Sequence, residues 1–126
     1  MGSQTNTDEI RAWGVAAARA ADAKLGADTT IIDVGDVLAI CDLFIITSGG
    51  NSRQVRAIAE AVQEGVAAAG GPTAPRVEGL DGLEWVLIDY GSLVVHVFAA
   101  AARSHYQLEK LWSDRPVVEW KPLEPT

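Results

Sequence analysis

The fold is decided by residues 84–98, which read EWVLIDYGSLVVHVF. Two apolar runs flank Gly91 and Ser92, and a glycine at the first central position supports a two-residue β-hairpin turn. Closing the hairpin on this turn places Trp85 opposite Phe98 and fixes the register of all residues between them. The remaining predicted pairs are Val86 with Val97, Leu87 with His96, Ile88 with Val95, Asp89 with Val94, and Tyr90 with Leu93.

This register sorts the hairpin into two faces, because paired residues share a face and side chains alternate along a strand. One face is apolar apart from a single hydroxyl, which predicts a covering helix; it consists of Val86, Ile88, Tyr90, Leu93, Val95 and Val97. The other face mixes aromatic, aliphatic, acidic and imidazole groups; it consists of Trp85, Leu87, Asp89, Val94, His96 and Phe98. Such a mixture is typical of the centre of a protein interface. The alternative is a second covering helix with Asp89 and His96 at its wet margin, and the residues alone leave both open.

The residues before the hairpin predict a helix, two strands and a second helix. A capping box of Asn6 and Glu9 begins the first helix, which ends at Gly26. Its apolar positions recur at helical spacing and are Ile10, Trp13, Ala17, Ala21 and Leu25. Strands are predicted at residues 29–34 and 42–47. The turn at residues 48–52 then begins a helix that ends near residues 70–72. Its apolar face consists of Val55, Ile58, Ala59, Val62 and Val66.

The remaining segments complete a single α/β domain with a mixed sheet of about five strands. A short strand at residues 76–78 is predicted to complete a crossover unit begun by the second predicted strand. From Arg103, a third helix carries an apolar stripe and stops before Pro116; the stripe consists of His105, Leu108 and Trp112, with Leu111 beside it. We draw the domain at residues 1–114 and an irregular proline-rich tail at 115–126, with Trp120 pinning the tail to the body.

Composition and charge favour a protein partner. The 126 residues suffice for one core, and the net charge of −7 has the wrong sign for gripping a phosphate backbone. An acidic domain is attracted instead to basic proteins. The lone Cys41 fits a buried small hydrophobe in a reducing cytosol. The N-terminal residues lack the features of an export signal, so we expect a cytoplasmic protein.

The sequence offers only weak candidates for chemistry. The turn at residues 48–52 could cradle an anion, but Asn51 or Ser52 acting as a helix N-cap is the favoured interpretation. Carboxylates at Asp33, Asp36 and Asp42 could hold magnesium, but their spacing favours capping and turn roles. His96 and His105 lack the grouping of a metal site. We therefore expect no catalytic residue, metal or cofactor.

Together these residues resemble the ribosomal silencing factors, the Iojap-like family, over residues 33–114. The matching segments are residues 42–46, 48–49, 53–55, 58–59, 78–79, 85–91, 95–98, Arg103, Tyr106 and 108–112. Two departures are visible. Residues 50–52 differ from the family's usual Thr-Ser-Asn-like turn, and Ser92 stands where an aspartate commonly follows the glycine, which puts in doubt any contact assigned to that position.

The resemblance implies a nucleotidyltransferase-like topology without the activity, and usually a homodimer. It also implies a translational repressor that binds the large ribosomal subunit through its fourteenth ribosomal protein and blocks joining of the small subunit. A role in large-subunit maturation is attributed to relatives. A magnesium-dependent nucleotidyltransferase-like enzyme and a homodimeric scaffold module are the alternatives.

The predicted partner-binding residues combine the mixed hairpin face with one carboxylate from the neighbouring strand. In this hypothesis Trp85, Leu87 and Phe98 supply an apolar anchor. Asp89 and Glu78 meet basic residues of the partner, and His96 donates a hydrogen bond.

Overall fold

A five-stranded mixed sheet forms the centre of the molecule, as a computed structural model shows for residues 7–35, 41–73 and 75–121. The elements are α1 (Thr7–Ala23), β1 (Ala27–Asp33), β2 (Leu43–Gly49), α2 (Ser52–Ala68), β3 (Arg76–Glu78), β4 (Trp85–Asp89), β5 (Leu93–Ala99), α3 (Ala100–Tyr106) and the 3-10 helix η1 (Leu108–Trp112). The strand order is β1-β2-β5-β4-β3, and among the described strands β2 and β5 are the one neighbouring pair that runs parallel. The predicted single-domain α/β fold with a mixed sheet is confirmed.

The hairpin between β4 and β5 has the predicted register. Trp85 lies opposite Phe98, and the pairing continues without a shift to Asp89 opposite Val94. At the turn the Tyr90 amide donates to the Leu93 carbonyl at 2.9 Å, and Gly91 adopts a φ of 87°. Only glycine enters this left-handed region without strain, so Gly91 is what sets the register.

The predicted crossover unit is present, because β3 belongs to the same sheet as β2 and runs in the same direction, but two strands separate them. The short strand at residues 76–78 exists, but it is the outer strand of the sheet and pairs antiparallel with β4. The parallel partner of β2 is β5, with Leu43 opposite Leu93. The connection therefore runs from β2 through α2, β3 and β4 before β5 returns to the centre of the sheet.

The apolar hairpin face is covered, as predicted. Helices α1 and α2 pack together on it and form the larger of the two clusters of buried residues. Five members of the predicted apolar face are buried there, namely Val86, Ile88, Leu93, Val95 and Val97. All five apolar positions predicted for α2 are fully buried as well.

The first helix ends differently from the prediction, and the second shows why. Both ends have the Schellman hydrogen-bond pattern, in which Gly26 donates to the Ala21 carbonyl and Gly71 to the Val66 carbonyl, each at 2.9 Å. In α2 the left-handed residue is Gly70, but in α1 it is Leu25, with a φ of 64°. Leu25 is 81% exposed, so its predicted place on the apolar face was wrong. The predicted cap residue Asn6 lies outside the described residues.

The third helix is broken, contrary to the single helix predicted. Gln107 adopts a left-handed φ of 49° between α3 and η1. Of the predicted stripe, Leu108 and Trp112 pack against the second buried cluster, whereas His105 and Leu111 are exposed. The break redirects the chain so that η1 lies over the sheet instead of continuing along the axis of α3.

The described part of the tail packs on the body, and the role predicted for Trp120 is confirmed. Its indole donates to the Thr29 carbonyl at 3.0 Å, and its side chain is buried in the main cluster with Val118. The backbone of this segment continues the sheet beyond β1, since Val118 donates to the Ile31 carbonyl at 2.9 Å. None of the described helices is long and apolar enough to cross a membrane.

Candidate functional site

The second face of the sheet carries the predicted site residues. Strand pairing aligns the residues of this face in three rows across the sheet. The rows are Ile32, Phe44, Val94, Asp89 and Arg76; then Thr30, Ile46, His96, Leu87 and Glu78; then Ser48, Phe98 and Trp85. Apolar residues dominate toward β1 and β2, and charged residues appear only toward β3 and β4.

Helices α3 and η1 cover the β1 and β2 side of this face. Phe98 is 0% exposed and packs in a cluster with Ile46 and Ala102. His96 is 4% exposed beneath the same cover. The expectation that these two side chains reach a partner directly is therefore corrected: both lie under the surface and support it. A covering helix is therefore present over this half of the face, with His96 beneath it and not at its wet margin, and the interface interpretation stays a prediction for the other half.

The β3 and β4 side stays open and forms a surface that we call the hairpin patch, defined by Glu78, Trp85, Leu87, Asp89 and Tyr106. Trp85, Leu87 and Asp89 are half-buried, Glu78 is exposed, and Tyr106 is 54% exposed. A shallow groove of about 300 Å³ runs between Glu78, Gly79, Trp85 and Leu87. An apolar centre with a polar margin is the usual composition of a protein interface.

The Trp85 ring is held from three sides. Its indole nitrogen donates to Nδ1 of His96 at 3.1 Å. Its ring centroid lies 4.8 Å from that of Phe98 beneath it and 5.0 Å from that of Tyr106 beside it. Aromatic rings at these separations attract each other beyond their burial. Trp85 is therefore ordered before any partner arrives.

Tyr106 is a member of the patch that the site prediction missed. It is the last residue of α3, which begins directly after β5, so a seven-residue helix returns it to the hairpin. The signal was present in the sequence, because the run at residues 99–102 marks the change from strand to helix only two residues after Val97. The prediction of an unbroken helix directed attention to His105 instead.

The two carboxylates of the patch differ in their availability. An oxygen of Asp89 accepts from the Gly91 amide at 2.8 Å, and Arg76 lies opposite Asp89 in the strand pairing. Glu78 is exposed beside the groove. Asp89 thus stabilises the hairpin turn as well as adding charge, whereas Glu78 is the freer of the two to meet a basic partner.

Burial shifts the pKa of three side chains, His96 on this face, Tyr90 on the opposite face and Cys41 before β2. Loss of solvent lowers the pKa of His96 to about 4, so its ring is neutral near pH 7. Burial likewise raises the pKa of Tyr90 to about 12 and that of the Cys41 thiol to about 11. The prediction of a buried Cys41 is confirmed, with its Sγ 3.3 Å from the Leu43 carbonyl.

Arg103 fixes α3 to the sheet and thereby places Tyr106. Its guanidinium is buried and donates to the carbonyls of Ala27 and Asp28 at 2.9 and 2.7 Å. It also pairs with Glu109 of η1 at 3.2 Å. One side chain therefore connects the start of β1, α3 and η1. Apart from the family resemblance, no pattern around Arg103 predicted this role.

The turn at residues 48–52 has the structural role that was favoured for it. Asn51 is the N-cap of α2, and its side chain accepts from the Gln54 amide at 2.9 Å. The Gln54 side chain in turn accepts from the Gly50 amide at 2.6 Å. With these amides engaged, the turn is a helix cap.

Two of the acidic residues considered for a metal, Asp33 and Asp42, lie beside Gly35. Asp33 accepts from the Gly35 amide at 3.0 Å and pairs with Arg11 at 3.1 Å, which confirms a turn role. Asp36 lies outside the described residues. Within residues 7–35, 41–73 and 75–121, no three histidine, cysteine or acidic side chains group as metal ligands do.

Comparison with known proteins places the chain in a family. Residues 7–126 match the family described as ribosomal silencing factor during starvation. The Bacillus subtilis protein named ribosomal silencing factor RsfS is 40% identical over 103 residues, covering 82% of this chain and 86% of that protein. A mouse protein named mitochondrial assembly of ribosomal large subunit protein 1 is 31% identical over 90 residues, covering 70% of this chain and 40% of that protein.

A solved structure supports the same family. A crystal structure of a Chromobacterium violaceum protein superposes with a TM-score of 0.75 at 32% identity, covering 86% of this chain and 88% of that one. The chain belongs to the ribosomal silencing factor family.

Proposed function

We propose that this chain represses translation in the cytoplasm by binding the large ribosomal subunit through its fourteenth ribosomal protein, and that it thereby obstructs joining of the small subunit. The observation that carries the proposal is the hairpin patch. An ordered tryptophan lies at its centre, with Leu87 and Tyr106 beside it and Glu78 at its margin. Family membership supports the ribosomal target.

The proposed mechanism requires only that the chain occupy part of the surface where the two subunits join. A protein of 13.3 kDa that covers part of the joining surface excludes the other subunit sterically, so no catalytic group takes part. The net charge of −7 favours encounter with a basic ribosomal protein and disfavours contact with RNA. We infer further that the protein has no enzymatic activity and forms a homodimer when free.

A gradient experiment tests the proposal. Purified large subunits are mixed with the chain and sedimented, and small subunits are then added to ask whether the two subunits still associate. We expect the chain to travel with the large subunit and to reduce association as its concentration rises. Failure to co-sediment, or co-sedimentation without any effect on association, would contradict the proposal.

Variants locate the contact. Trp85→Ala removes the central ring of the patch and should weaken binding by at least about 2 kcal/mol, as loss of a central interface aromatic does. Leu25→Ala is the matched control, since Leu25 is also a large apolar residue but is 81% exposed outside the patch. Equal binding by the two variants, both folded by circular dichroism, would move the site elsewhere.

A second role, in maturation of the large subunit, is favoured by the name of the mouse relative. The same patch would serve it, because the docking site is the same. In cells that lack the protein, accumulation of incomplete large subunits during rapid growth would support this role, and unchanged subunit profiles would contradict it.

A further inference from the structure

We propose that His96 is a positioning residue that holds the Trp85 indole in its docking orientation by accepting a hydrogen bond at Nδ1. The inference rests on the proposed function for what the tryptophan docks on. It replaces a direct contact between His96 and the partner, because the imidazole is only 4% exposed.

The hydrogen bond fixes the tautomer of His96. The Trp85 indole nitrogen can only donate, so Nδ1 of His96, 3.1 Å away, accepts. In a neutral imidazole the other nitrogen, Nε2, then carries the proton. This Nε2 is buried and has no hydrogen-bond partner among the described residues. The fold therefore tolerates a buried donor that is left unsatisfied.

An unsatisfied buried donor costs free energy and calls for an explanation. The packing of the His96 ring does not by itself explain this cost. The ring sits 4.7 Å from Phe44 and 6.3 Å from Phe98, between centroids, in surroundings where a phenyl ring would leave no donor stranded. What a phenyl ring cannot do is accept the Trp85 proton. The position is thus better suited to orienting Trp85 than to filling the core.

The orientation matters because Trp85 is only half-buried. Rings at Phe98 and Tyr106 hold it by packing, with centroids 4.8 and 5.0 Å from that of Trp85. The hydrogen bond adds a directional restraint to these contacts. A side chain that is already ordered loses less entropy on binding, so the restraint should appear as affinity.

The test compares two replacements of opposite character. His96→Phe keeps an aromatic ring and removes the acceptor. His96→Asn loses volume but can present its side-chain oxygen near the position of Nδ1. We expect large-subunit binding to weaken about three- to tenfold in His96→Phe. We expect His96→Asn to recover at least part of that loss, although it should melt at a lower temperature. Thus large-subunit binding should depend on whether the side chain at position 96 can accept a hydrogen bond. Thermal stability should depend on how well that side chain fills the core.

Two readouts separate positioning from a merely structural role. In the wild type, the Trp85 indole proton should exchange with solvent more slowly than that of a free indole. In His96→Phe this protection should be lost. The nuclear magnetic resonance signal of the Trp85 indole is assigned by its absence in Trp85→Phe. In the Trp85→Phe background, which has no indole proton, His96→Phe should change binding no further. In these readouts, either an unprotected Trp85 indole in the wild type or the same loss of binding in both backgrounds would overturn the proposal.

The proposal and the function on which it rests fail separately. If the wild-type chain did not bind large subunits, the proposed function would fall, while protection of the indole proton would still decide whether His96 holds Trp85. If the wild type bound and His96→Phe bound equally well, only the positioning role would fall. If His96→Phe did not fold, the exchange rate in the wild type would decide alone.

Discussion

Leu87 and Ile88 are neighbours on β4, yet they belong to two very different surfaces. Ile88 is 0% exposed beneath α1 and α2, whereas Leu87 is half-buried in the hairpin patch. Both faces of the strand are rich in large apolar groups. What separates them is the cover, since two 17-residue helices close one face, and a seven-residue helix with a short 3-10 turn closes half of the other. The incomplete cover leaves room for a partner.

The sharpest test of this contrast uses the same substitution on both faces. Ile88→Ala should lower the free energy of unfolding by about 2–5 kcal/mol, because it leaves a cavity in a close-packed core. Leu87→Ala should cost about 1 kcal/mol or less, because much of that side chain already meets solvent. Urea unfolding measures both. Equal losses would mean that the second face is as sealed as the first.

A smaller effect should appear in the pH dependence of stability. The folded-state pKa of His96, about 4, lies below the ordinary value of 6.5. Between these values the unfolded chain binds the proton and the folded chain does not, so stability is intact above pH 6.5 and is lost as the pH falls through 4. The contribution approaches about 1.4 kcal/mol per pH unit within this window.

His96→Phe isolates that contribution from the acidic residues, which also titrate there. The difference in unfolding free energy between wild type and variant should change between pH 6.5 and 4 and stay constant above pH 7. A difference that is the same at every pH would show that the imidazole is not buried as described.

The smallest expected effect is outside both faces. Leu25→Gly should stabilise the protein by about 0.5–1 kcal/mol, because Leu25 is exposed and left-handed at the end of α1, where α2 has a glycine. Thermal unfolding measures the gain. Gly70→Ala, at the matching position of α2, is the control and should be destabilising.

The sequence was sufficient to predict local structure, but it did not predict which parts of the sheet are covered by helices. The hairpin register follows from Gly91 because a two-residue turn leaves one way to pair the strands. The sequence did not reveal that β5 is the parallel partner of β2, since that pairing joins residues about fifty apart and competes with the nearer strand β3. Alternation grouped Trp85 with Phe98 on one face, but it held no information on which would be covered.

The covering elements were themselves the hardest to predict. Gln107 turns the chain by adopting a left-handed conformation, which the presence of a glutamine does not predict. Arg103 is buried by an ion pair and carbonyl contacts that come from distant segments, so its role depends on the completed fold. The half-open face is a consequence of both.

The central claim is that the hairpin patch is the surface that meets the ribosome. Hydroxyl-radical footprinting of the chain, with and without large subunits, reads side-chain exposure directly. We expect oxidation of Trp85 and Tyr106 to slow severalfold in the complex, while that of Leu25 is unchanged. Unchanged oxidation of both aromatic residues in a chain that has bound its target would contradict the account.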